Sequence, residues 1–452
     1  MPLAVKPTIQ RVIGRLPVYR TLPDGALRTY AALRYHGQHS SQDEITRYLR
    51  SIDGIPTRWL STAMVAARAA FLTGQDDLLQ ETLATLEQRF PESSRLYVLR
   101  ADLQTYHGQY RQALGSAHRS RLLKPSYPRA TARVVALSYR LLDPAEADQV
   151  AVAAIRRFPR TSEVLWAVAH TCATPEQFHR LHAGWRDRAD PPDLLRAVRQ
   201  LATAAARAGE VVAATDLYRQ GIQLLAEGGH PAPTIAETRL EGRGAGTAIR
   251  DLQQALDGAG VPFFFAAGTA LGLVREGRPL GADGDIDVGI LDPDWDREAL
   301  VDLFTRHPRF DFQPDHPRSK KLGLRHRGGA PVDLFRFYPD ADRVWHDAVF
   351  VRWHNTPFQV RRQQVDGVAV PLPADPDRYL TENYGDWRTS NPAFDAFTDD
   401  APNVATTWPE YAQLHLVRRA FKRLAIGDWT GAGTELRRAG EGDLAARIGR
   451  DA

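Results

Sequence analysis

The most constraining feature of this 452-residue sequence is a spacing of 34 residues that recurs through its first half. Proline follows Phe90, Lys124 and Phe158 at that interval, and Gly74 and Gly108 are the same distance apart. A glycine permits a tight turn between two helices, and a proline stops the helix before it. A period of this length is typical of stacked helix pairs, which bury a continuous core and leave a concave face. The first half is therefore predicted to be a helical repeat array.

The register resembles that of the tetratricopeptide repeat family over roughly residues 25–230. The third unit departs from it, because Leu142, Asp143 and Pro144 stand where the glycine would fall, and an irregular unit follows at residues 208–218. The resemblance implies an all-α solenoid whose concave face binds a protein or polymer partner. The alternative is that the array only supports the second half of the chain.

The pattern changes after residue 230. We predict a repeat domain at 1–230, a linker at 231–245, an α+β catalytic domain at 246–405 and a C-terminal helical segment at 406–452. The linker is rich in Gly, Pro, Thr and Glu and has no apolar period. Beyond a helix at 246–258, the residues 263–267 read as a buried strand, Gly268 and Thr269 as a turn, and residues 270–274 as a helix.

Three aspartates, Asp283, Asp285 and Asp287, follow that unit at alternate positions. Ile286 and Val288 have the opposite parity, so an extended chain would turn the three carboxylates to one face. Mg²⁺ prefers carboxylate oxygens and usually takes one or two from a protein, leaving its other positions to water and substrate phosphates. The pattern predicts a metal site that acts on a phosphorylated substrate. The alternative is a solvated loop, since Asp and Gly are also common in turns.

Composition narrows the setting of the protein. Cys172 is the only cysteine, which excludes an intramolecular disulfide and a Cys-rich zinc site. The longest apolar stretch, residues 261–274, is shorter than a bilayer requires, and the amino terminus has no signal-peptide pattern. The net charge of +4 is too small and too dispersed for a nucleic-acid binder. We expect a cytoplasmic protein with no membrane span, either free or peripheral at the inner membrane face.

Residues 267–277 followed by 283–289 resemble the first signature block of the LicD and fukutin-related family, which has the nucleotidyltransferase superfold. Residues 368–387 resemble a second block of that family, and the resemblance covers roughly 245–400. It implies an α+β domain with a mixed sheet. It also implies Mg²⁺-dependent transfer of glycerol phosphate, ribitol phosphate or phosphocholine from a CDP-linked donor to a glycan or glycolipid hydroxyl, with release of CMP. Mn²⁺ is the alternative cation.

The resemblance also assigns roles to the first block. Gly268 and Thr269 would line the donor phosphates, and Asp285 and Asp287 would bind the metal and take part in catalysis. Asp283 matches the first acidic position of the family's motif and is the other metal ligand expected there.

A third carboxylate is expected from a later strand of the superfold, and Asp333 occupies such a place in Pro331-Val-Asp-Leu-Phe-Arg-Phe337. An aspartate inside an apolar strand is costly unless it is paired or metal-bound. Asp333 is therefore predicted to bind the metal and to accept the proton of the acceptor hydroxyl. The alternative is a surface-facing residue on an edge strand.

Basic and aromatic residues complete the set of candidates. Residues 318–327 contain five basic residues and no acidic one, and Lys320 or Lys321 is predicted to bind a donor phosphate. Arg275 stands where the family's first block also has an arginine. Tyr379, Tyr384 and Trp387 are expected either to pack the domain or to stack on a sugar or base. Alternatively, the basic residues of 318–327 belong to a solvated loop without a binding role.

Two rival functions remain open. One is a nucleotidyltransferase that moves the nucleotide itself, and the other is a non-catalytic repeat scaffold with a disabled transferase domain. The complete set of motif residues favours catalysis. Ala282-Asp283-Gly284 stands here in place of the Trp-Asp-Asp sequence that is usual in the family, so the identity of the donor stays open.

Overall fold

The computed structural model describes residues 18–23, 25–39, 41–52, 54–188, 194–228, 233, 240, 244–313 and 315–449. After a short 3₁₀ turn at Val18–Thr21, consecutive helices fill the first half of the described chain. They are α1 (Ala26–His39), α2 (Gln42–Ser51), α3 (Leu60–Thr73), α4 (Asp76–Arg89), α5 (Ser94–Tyr106), α6 (Tyr110–Leu123), α7 (Pro128–Leu141), α8 (Pro144–Arg157), α9 (Ser162–Thr171), α10 (Pro175–Arg186), α11 (Leu194–Ala208) and α12 (Val211–Glu227).

The 34-residue spacing sets the helix pairs. The first helices of four successive pairs begin at Leu60, Ser94, Pro128 and Ser162, each 34 residues after the last. Their inward positions are apolar, and Ala or Leu residues at 0–4% exposure form a core that continues from pair to pair. The predicted helical repeat array is confirmed.

Two kinds of turn connect the helices within a pair. Gly74 and Gly108 have φ angles of 71° and 69°, which glycine adopts without strain. In the third pair, Asp143 instead caps α8, and its side chain accepts hydrogen bonds from the N–H groups of Ala145 and Glu146 at 2.9 and 3.0 Å. The third pair therefore lacks the glycine that ends the first helix in the other two pairs. It has instead an aspartate that caps the start of its second helix.

The C-terminal helices return to the array. They are α17 (Pro409–Ala425), α18 (Trp429–Arg438) and α19 (Gly442–Ile448), because four helices, α13 to α16, precede them between residues 245 and 384. Helix α17 packs against α12, where the ring of Phe421 contacts Tyr218 at 5.5 Å and lies over Gly221. The last helix pair of the array is thereby covered, as the end of a helical solenoid requires.

The region between the array and these helices is an α+β domain. Its helices are α13 (Ala245–Gly258), α14 (Ala267–Glu276), α15 (Arg297–Thr305) and α16 (Pro376–Tyr384). Its strands are β1 (Phe264–Phe265), β2 (Ile286–Leu291), β3 (Phe310–Phe312), β4 (Leu322–His326), β5 (Pro331–Asp340), β6 (Arg343–Asp347), β7 (Val351–Asn355), β8 (Val360–Val365), β9 (Val368–Pro373) and β10 (Val404–Thr406).

The sheet is mixed. Its main path runs β1-β2-β5-β6-β7-β10, with β4 also paired to β5 and β3 paired to β4, while β8 and β9 form a separate hairpin. Strands β2 and β5 are parallel and the other pairs are antiparallel. The predicted two-part fold, a helical array followed by an α+β domain with a mixed sheet, is confirmed.

The predicted linker, 231–245, lies outside the described residues except for 233, 240 and 244–245. Leu240 is buried, and its N–H donates to the carbonyl oxygen of Asp283 at 2.8 Å. This part of the connection therefore runs beside the aspartate-rich segment.

The α+β domain docks on the row of turns between first and second helices, which we term the turn edge of the array (residues 73–76, 106–110, 140–144 and 206–210). Arg140 forms a two-pronged ion pair with Asp311, with nitrogen–oxygen distances of 2.7 and 3.2 Å. The Nε2 atom of His316 lies 3.1 Å from the carbonyl oxygen of Ala206. The repeat period thus lines up the turns that hold the second domain, and a supporting role of the array is evident.

Arg327 is the most deeply buried contact of this interface. Its side chain is fully buried, lies 2.7 Å from Oδ1 of Asp76 and stacks over the ring of Phe71 at 4.6 Å. Asp76 also contacts Nε2 of His107 at 3.0 Å. Removing the carboxylate would leave a guanidinium in the interior without a counter-charge.

We expect Asp76→Ala to lower the free energy of unfolding by about 3 kcal/mol, because breaking one side of a buried ion pair leaves the other charge uncompensated. Urea denaturation measures the loss. Asp77→Ala, at the exposed neighbouring position, is the control and should stay within about 0.5 kcal/mol of the wild type. Equal effects of the two substitutions would show that the ion pair does not fix the interface.

Candidate active site

The first wall of the site is the turn between β1 and α14. Phe264 and Phe265 are fully buried, and the chain then enters the helix through Ala267, which has a φ of 41°. The hydroxyl of Tyr379 accepts a hydrogen bond from the Ala267 N–H at 3.2 Å and holds this unusual backbone. A Cβ atom at Gly268 would collide with Oδ2 of Asp283, so only glycine lets these two segments approach so closely.

Thr269 joins this turn to the aspartate strand. It is 1% exposed, and its Oγ1 accepts a hydrogen bond from the N–H of Asp287 at 2.9 Å. The Ala266 N–H donates to the Asp287 carbonyl oxygen at 3.0 Å. The hydroxyl therefore positions Asp287, and it lies beneath the cavity surface that Gly268 borders.

Three carboxylates meet at the centre of the site. In the parallel pairing of β2 and β5, Asp287 stands directly opposite Asp333. Asp285, Asp287 and Asp333 each offer one oxygen, and these oxygens all lie within 4.8 Å of one another. Asp333 is 8% exposed and its strand has β2 and β4 as neighbours, so it does not lie on an edge strand.

Burial and mutual repulsion raise the proton affinity of this cluster. Burial, followed by the nearby carboxylates of Asp333 and Asp283, raises the pKa of Asp285 to about 8. The pKa of Asp287 is raised well above its usual value by burial and then by Asp285. Burial lowers the pKa of Lys321, but Asp333 and Asp285 outweigh it and the net shift is upward. Carboxylates held together in this way favour a counter-cation.

Asp283 lies apart from the three-carboxylate group. The strand begins only at Ile286, and Asp283 sits in the turn before it, where its Oδ1 accepts from the Gly284 N–H at 2.8 Å. Its Oδ2 is buried beside Gly268 and has no hydrogen-bond partner. The alternate spacing thus brings Asp285 and Asp287 together with Asp333, while Asp283 faces the cavity from the turn.

The two neighbouring lysines occupy different places. The Nζ of Lys321 contacts Oδ2 of Asp333, and the side chain borders the cavity. Lys320 points the other way, with its Nζ 2.7 Å from Asp347 and a side chain that is 69% exposed. Arg275 also borders the cavity, and its guanidinium donates to the carbonyl oxygen of Trp387 at 3.2 Å.

The aromatic candidates divide in a similar way. Tyr379 is 2% exposed and packs in the core against Phe264 and Phe358. Tyr384 and Trp387 border the cavity, and the indole N–H of Trp387 donates to Asp377 at 3.1 Å. Packing accounts for Tyr379, whereas the other two rings also face the space available to a ligand.

The cavity over the carboxylates has a volume of about 1320 Å³. Its first wall is the segment from Ala266 to Asp287 described above. A second wall, which the sequence analysis did not anticipate, comes from strands β6 and β7 and the residues before β10, and it includes His346, Trp353 and Asn403. The apolar-polar alternation of β6 and β7 was visible in the sequence, but nothing local connected it to the aspartates.

The donor set fits a hard divalent cation. The half-buried Asp285 and Asp287 and the buried Asp333 offer oxygen ligands within 4.8 Å of one another, and the buried Oδ2 of Asp283 lacks a partner nearby. Oxygen ligands of this kind suit Mg²⁺ or Mn²⁺, whereas the only cysteine, Cys172, lies in the helical array.

A glycine turn beside Asp285 and Asp287, at the start of one strand, completed by an aspartate on the neighbouring parallel strand, is typical of a nucleotidyltransferase-type domain. Residues 260–372 match the family described as LicD/FKTN/FKRP, nucleotidyltransferase domain.

Two curated relatives illustrate the similarity. The ribitol-5-phosphate transferase FKTN of Mus musculus is 25% identical over 175 residues, which cover 34% of this chain and 37% of that protein. The Homo sapiens protein of the same name is 24% identical over 179 residues, covering 35% and 38%. The similarity therefore spans less than two fifths of either relative.

No helix in the described ranges of the chain is long and apolar enough to cross a membrane.

The raised pKa of Asp285 predicts a pH-dependent stability. A carboxyl group with a folded-state pKa of about 8 and an ordinary value of 3.8 stabilises the fold below about pH 4, and this contribution is lost as the pH rises through 8. In the presence of a chelator, Asp285→Asn should therefore gain stability relative to the wild type between pH 5 and 8, at a slope of at most about 1.4 kcal/mol per pH unit. Thermal unfolding at several pH values tests this, and a pH-independent difference would contradict it.

Proposed function

We propose that this protein is a divalent-cation-dependent transferase that moves a polyol phosphate, such as ribitol or glycerol phosphate, or phosphocholine from a CDP-linked donor to a hydroxyl of a glycan or glycolipid, releasing CMP. The observation that carries the proposal is the convergence of Asp285, Asp287 and Asp333 at a cavity bordered by Gly268. The family match and the similarity to ribitol-5-phosphate transferases support the phosphate-transfer chemistry.

Asp285 and Asp287 would hold Mg²⁺ or Mn²⁺, with Asp333 and Asp283 as the other carboxylates in reach. The cation would supply neutralisation of the diphosphate charge. Gly268 lets the donor phosphates approach the start of α14, where free backbone N–H groups favour an anion. Arg275 and Lys321 border the same space and add positive charge.

The chemical step needs no covalent intermediate with the protein. The acceptor oxygen forms a bond to the phosphorus that carries the polyol or choline, and the bond from this phosphorus to the bridging oxygen breaks. CMP leaves with that electron pair, and the hydroxyl proton moves to a carboxylate oxygen of Asp333. Lys321, which contacts Asp333, would orient this carboxylate before the acceptor enters. Positioning and charge stabilisation carry most of such a reaction.

The array is proposed to have a second role besides supporting the α+β domain, namely binding a polymer or protein partner. Its turn edge is covered by that domain, so the available surface is the face of the first helices. There Arg68, Arg129 and Arg133 surround the buried Asp102, and Glu163 lies 3.9 Å from Arg129, so three cationic groups face two carboxylates. This excess charge suits an anionic polymer. A single buried cysteine, Cys172, is in keeping with a reducing cytoplasmic location, either free or peripheral at the inner membrane face.

We expect Asp285→Asn and Asp287→Asn each to reduce CMP release from CDP-ribitol or CDP-glycerol by at least about 10³-fold, because each removes a ligand charge at the reacting phosphates. Chromatography of the released nucleotide measures this rate. Asp302→Asn, which changes an exposed carboxylate of α15, is the matched control and should retain the wild-type rate. Wild-type turnover in either active-site variant would refute the cation assignment. A nucleotide-tagged acceptor in place of free CMP would favour the rival nucleotidyl transfer.

The neighbouring lysines offer a paired test. Lys321→Met should lower kcat/KM for the CDP-linked donor by about 10²-fold or more, since it removes a cation beside the reacting carboxylate. Lys320→Met should change it less than about threefold, because Lys320 is largely exposed and pairs with Asp347. Steady-state kinetics of both variants decide the point. A larger effect at Lys320 would place the donor phosphates on the opposite side of this segment.

A further inference from the structure

The cavity continues well past the three carboxylates, along the strands that follow β5. Its far part is lined by His346 of β6, Trp353 of β7, Asn403 just before β10 and Phe397 from the preceding segment. We term these four residues the aromatic–amide pocket. The turn at Gly268 lies on the β1–β2 side of the sheet, and the pocket lies beyond β5 on the other side of Asp333.

The amide of Asn403 has a fixed orientation. Its Nδ2 donates to the carbonyl oxygen of His354 at 2.9 Å and to Oδ1 of Asn383 at 3.0 Å. Asn383 in turn donates to the carbonyl oxygen of Tyr379 at 2.6 Å. Reversing the Asn403 amide would set its oxygen against two acceptors, so Oδ1 is the end left over. Asn403 is 2% exposed, and this Oδ1 is buried without a hydrogen-bond partner.

His346 presents a second polar atom without a partner. Its ring is stacked between Phe337, at a centroid distance of 4.2 Å, and Trp353, at 5.0 Å. It is 4% exposed, and its Nδ1 has no hydrogen-bond partner. Burial lowers the pKa of His346 to about 3, so the ring is neutral and keeps one nitrogen as an acceptor.

The remaining surface of the pocket is aromatic. Phe397 packs against Trp353 at 5.3 Å and against Phe350 at 5.6 Å. A buried polar atom with no hydrogen-bond partner is uncommon in a folded protein, and here an amide oxygen and an imidazole nitrogen of this kind border one aromatic wall. The complementary ligand brings hydrogen-bond donors together with an apolar ring face. A sugar ring has this combination, with O–H groups around its rim and C–H groups on its faces.

We propose that the aromatic–amide pocket is the acceptor site, in which a sugar ring donates hydroxyl hydrogen bonds to Asn403 and His346 and packs against Trp353 and Phe397. This inference rests on the proposed function. Donor phosphates at Gly268, Asp285 and Asp287 leave the far side of Asp333 for the incoming hydroxyl, since Asp333 takes its proton. The cavity volume of about 1320 Å³ exceeds the usual range for one small ligand, roughly 300–1,000 Å³, and has room for two substrates.

The test uses a panel of methyl glycosides as acceptor probes and CMP with Mg²⁺ as the donor-side probe. Saturation-transfer NMR titrations of the full chain give the affinity of each glycoside, and calorimetry gives that of CMP. At least one glycoside should bind the wild type, and Asn403→Leu should weaken it tenfold or more while CMP affinity changes less than twofold. Phe397→Leu, at a half-buried position, should also weaken glycoside binding. This variant takes the place of Asn403→Leu if Asn403→Leu does not fold.

Asn355→Leu is the matched control. Asn355 is fully buried and its Oδ1 also lacks a partner, but it does not border the cavity. Its substitution should leave glycoside affinity unchanged. Failure of every glycoside to bind the wild type, or equal binding by the wild type and the pocket variants, would overturn the proposal. Selective loss of CMP affinity in the pocket variants would instead place the nucleoside there. Because CMP binding is measured separately, failure of the proposed function is distinguishable from failure of the acceptor site.

Discussion

The carboxylates of Asp285, Asp287 and Asp333 repel one another, and the rest of the α+β domain is arranged to hold them together. The parallel pairing of β2 and β5 sets Asp287 opposite Asp333, and Thr269 fixes the backbone of Asp287 from the side of α14. Such a cluster is unfavourable by itself, as the raised pKa of Asp285 shows. It makes physical sense as a site for a cation, whose positive charge would offset the negative charge of the carboxylates.

Ion pairs also join the helical array to the α+β domain. The repeat period aligns the turns of the helical array, and along that edge the α+β domain sets Asp311 against Arg140 and the buried Arg327 against Asp76. The C-terminal helices then return to α12 and also reach the cavity wall, because Asp395 accepts from His415 of α17 at 2.7 Å. The array is thus in physical contact with the α+β domain both directly and through the C-terminal helices.

Much of this architecture could be predicted from sequence, because its signals are local or strictly periodic. The 34-residue spacing defined the helix pairs, the first signature block located Asp285 and Asp287, and the third carboxylate expected from a later strand located Asp333. Alternation did not separate Asp283 from the other two aspartates, although only Asp285 and Asp287 join Asp333 in the carboxylate cluster. The sequence also could not choose between Lys320 and Lys321 without knowing which face of the segment met Asp333. The pocket formed by His346, Trp353 and Asn403 depends on pairing among β6, β7 and β10, which no short window of sequence records.

The central claim is that the carboxylate cluster and the glycine turn bind one cation-bridged diphosphate. A structure determined from crystals of the full chain that have been soaked with Mn²⁺ and CDP tests it most directly. Anomalous scattering by manganese then locates the ion without ambiguity. The account predicts a manganese peak in contact with Asp285 and Asp287 and with the diphosphate oxygens, beside Gly268. A nucleotide bound elsewhere, or a cluster in which Lys321 still contacts Asp333 and no ion enters, would contradict it.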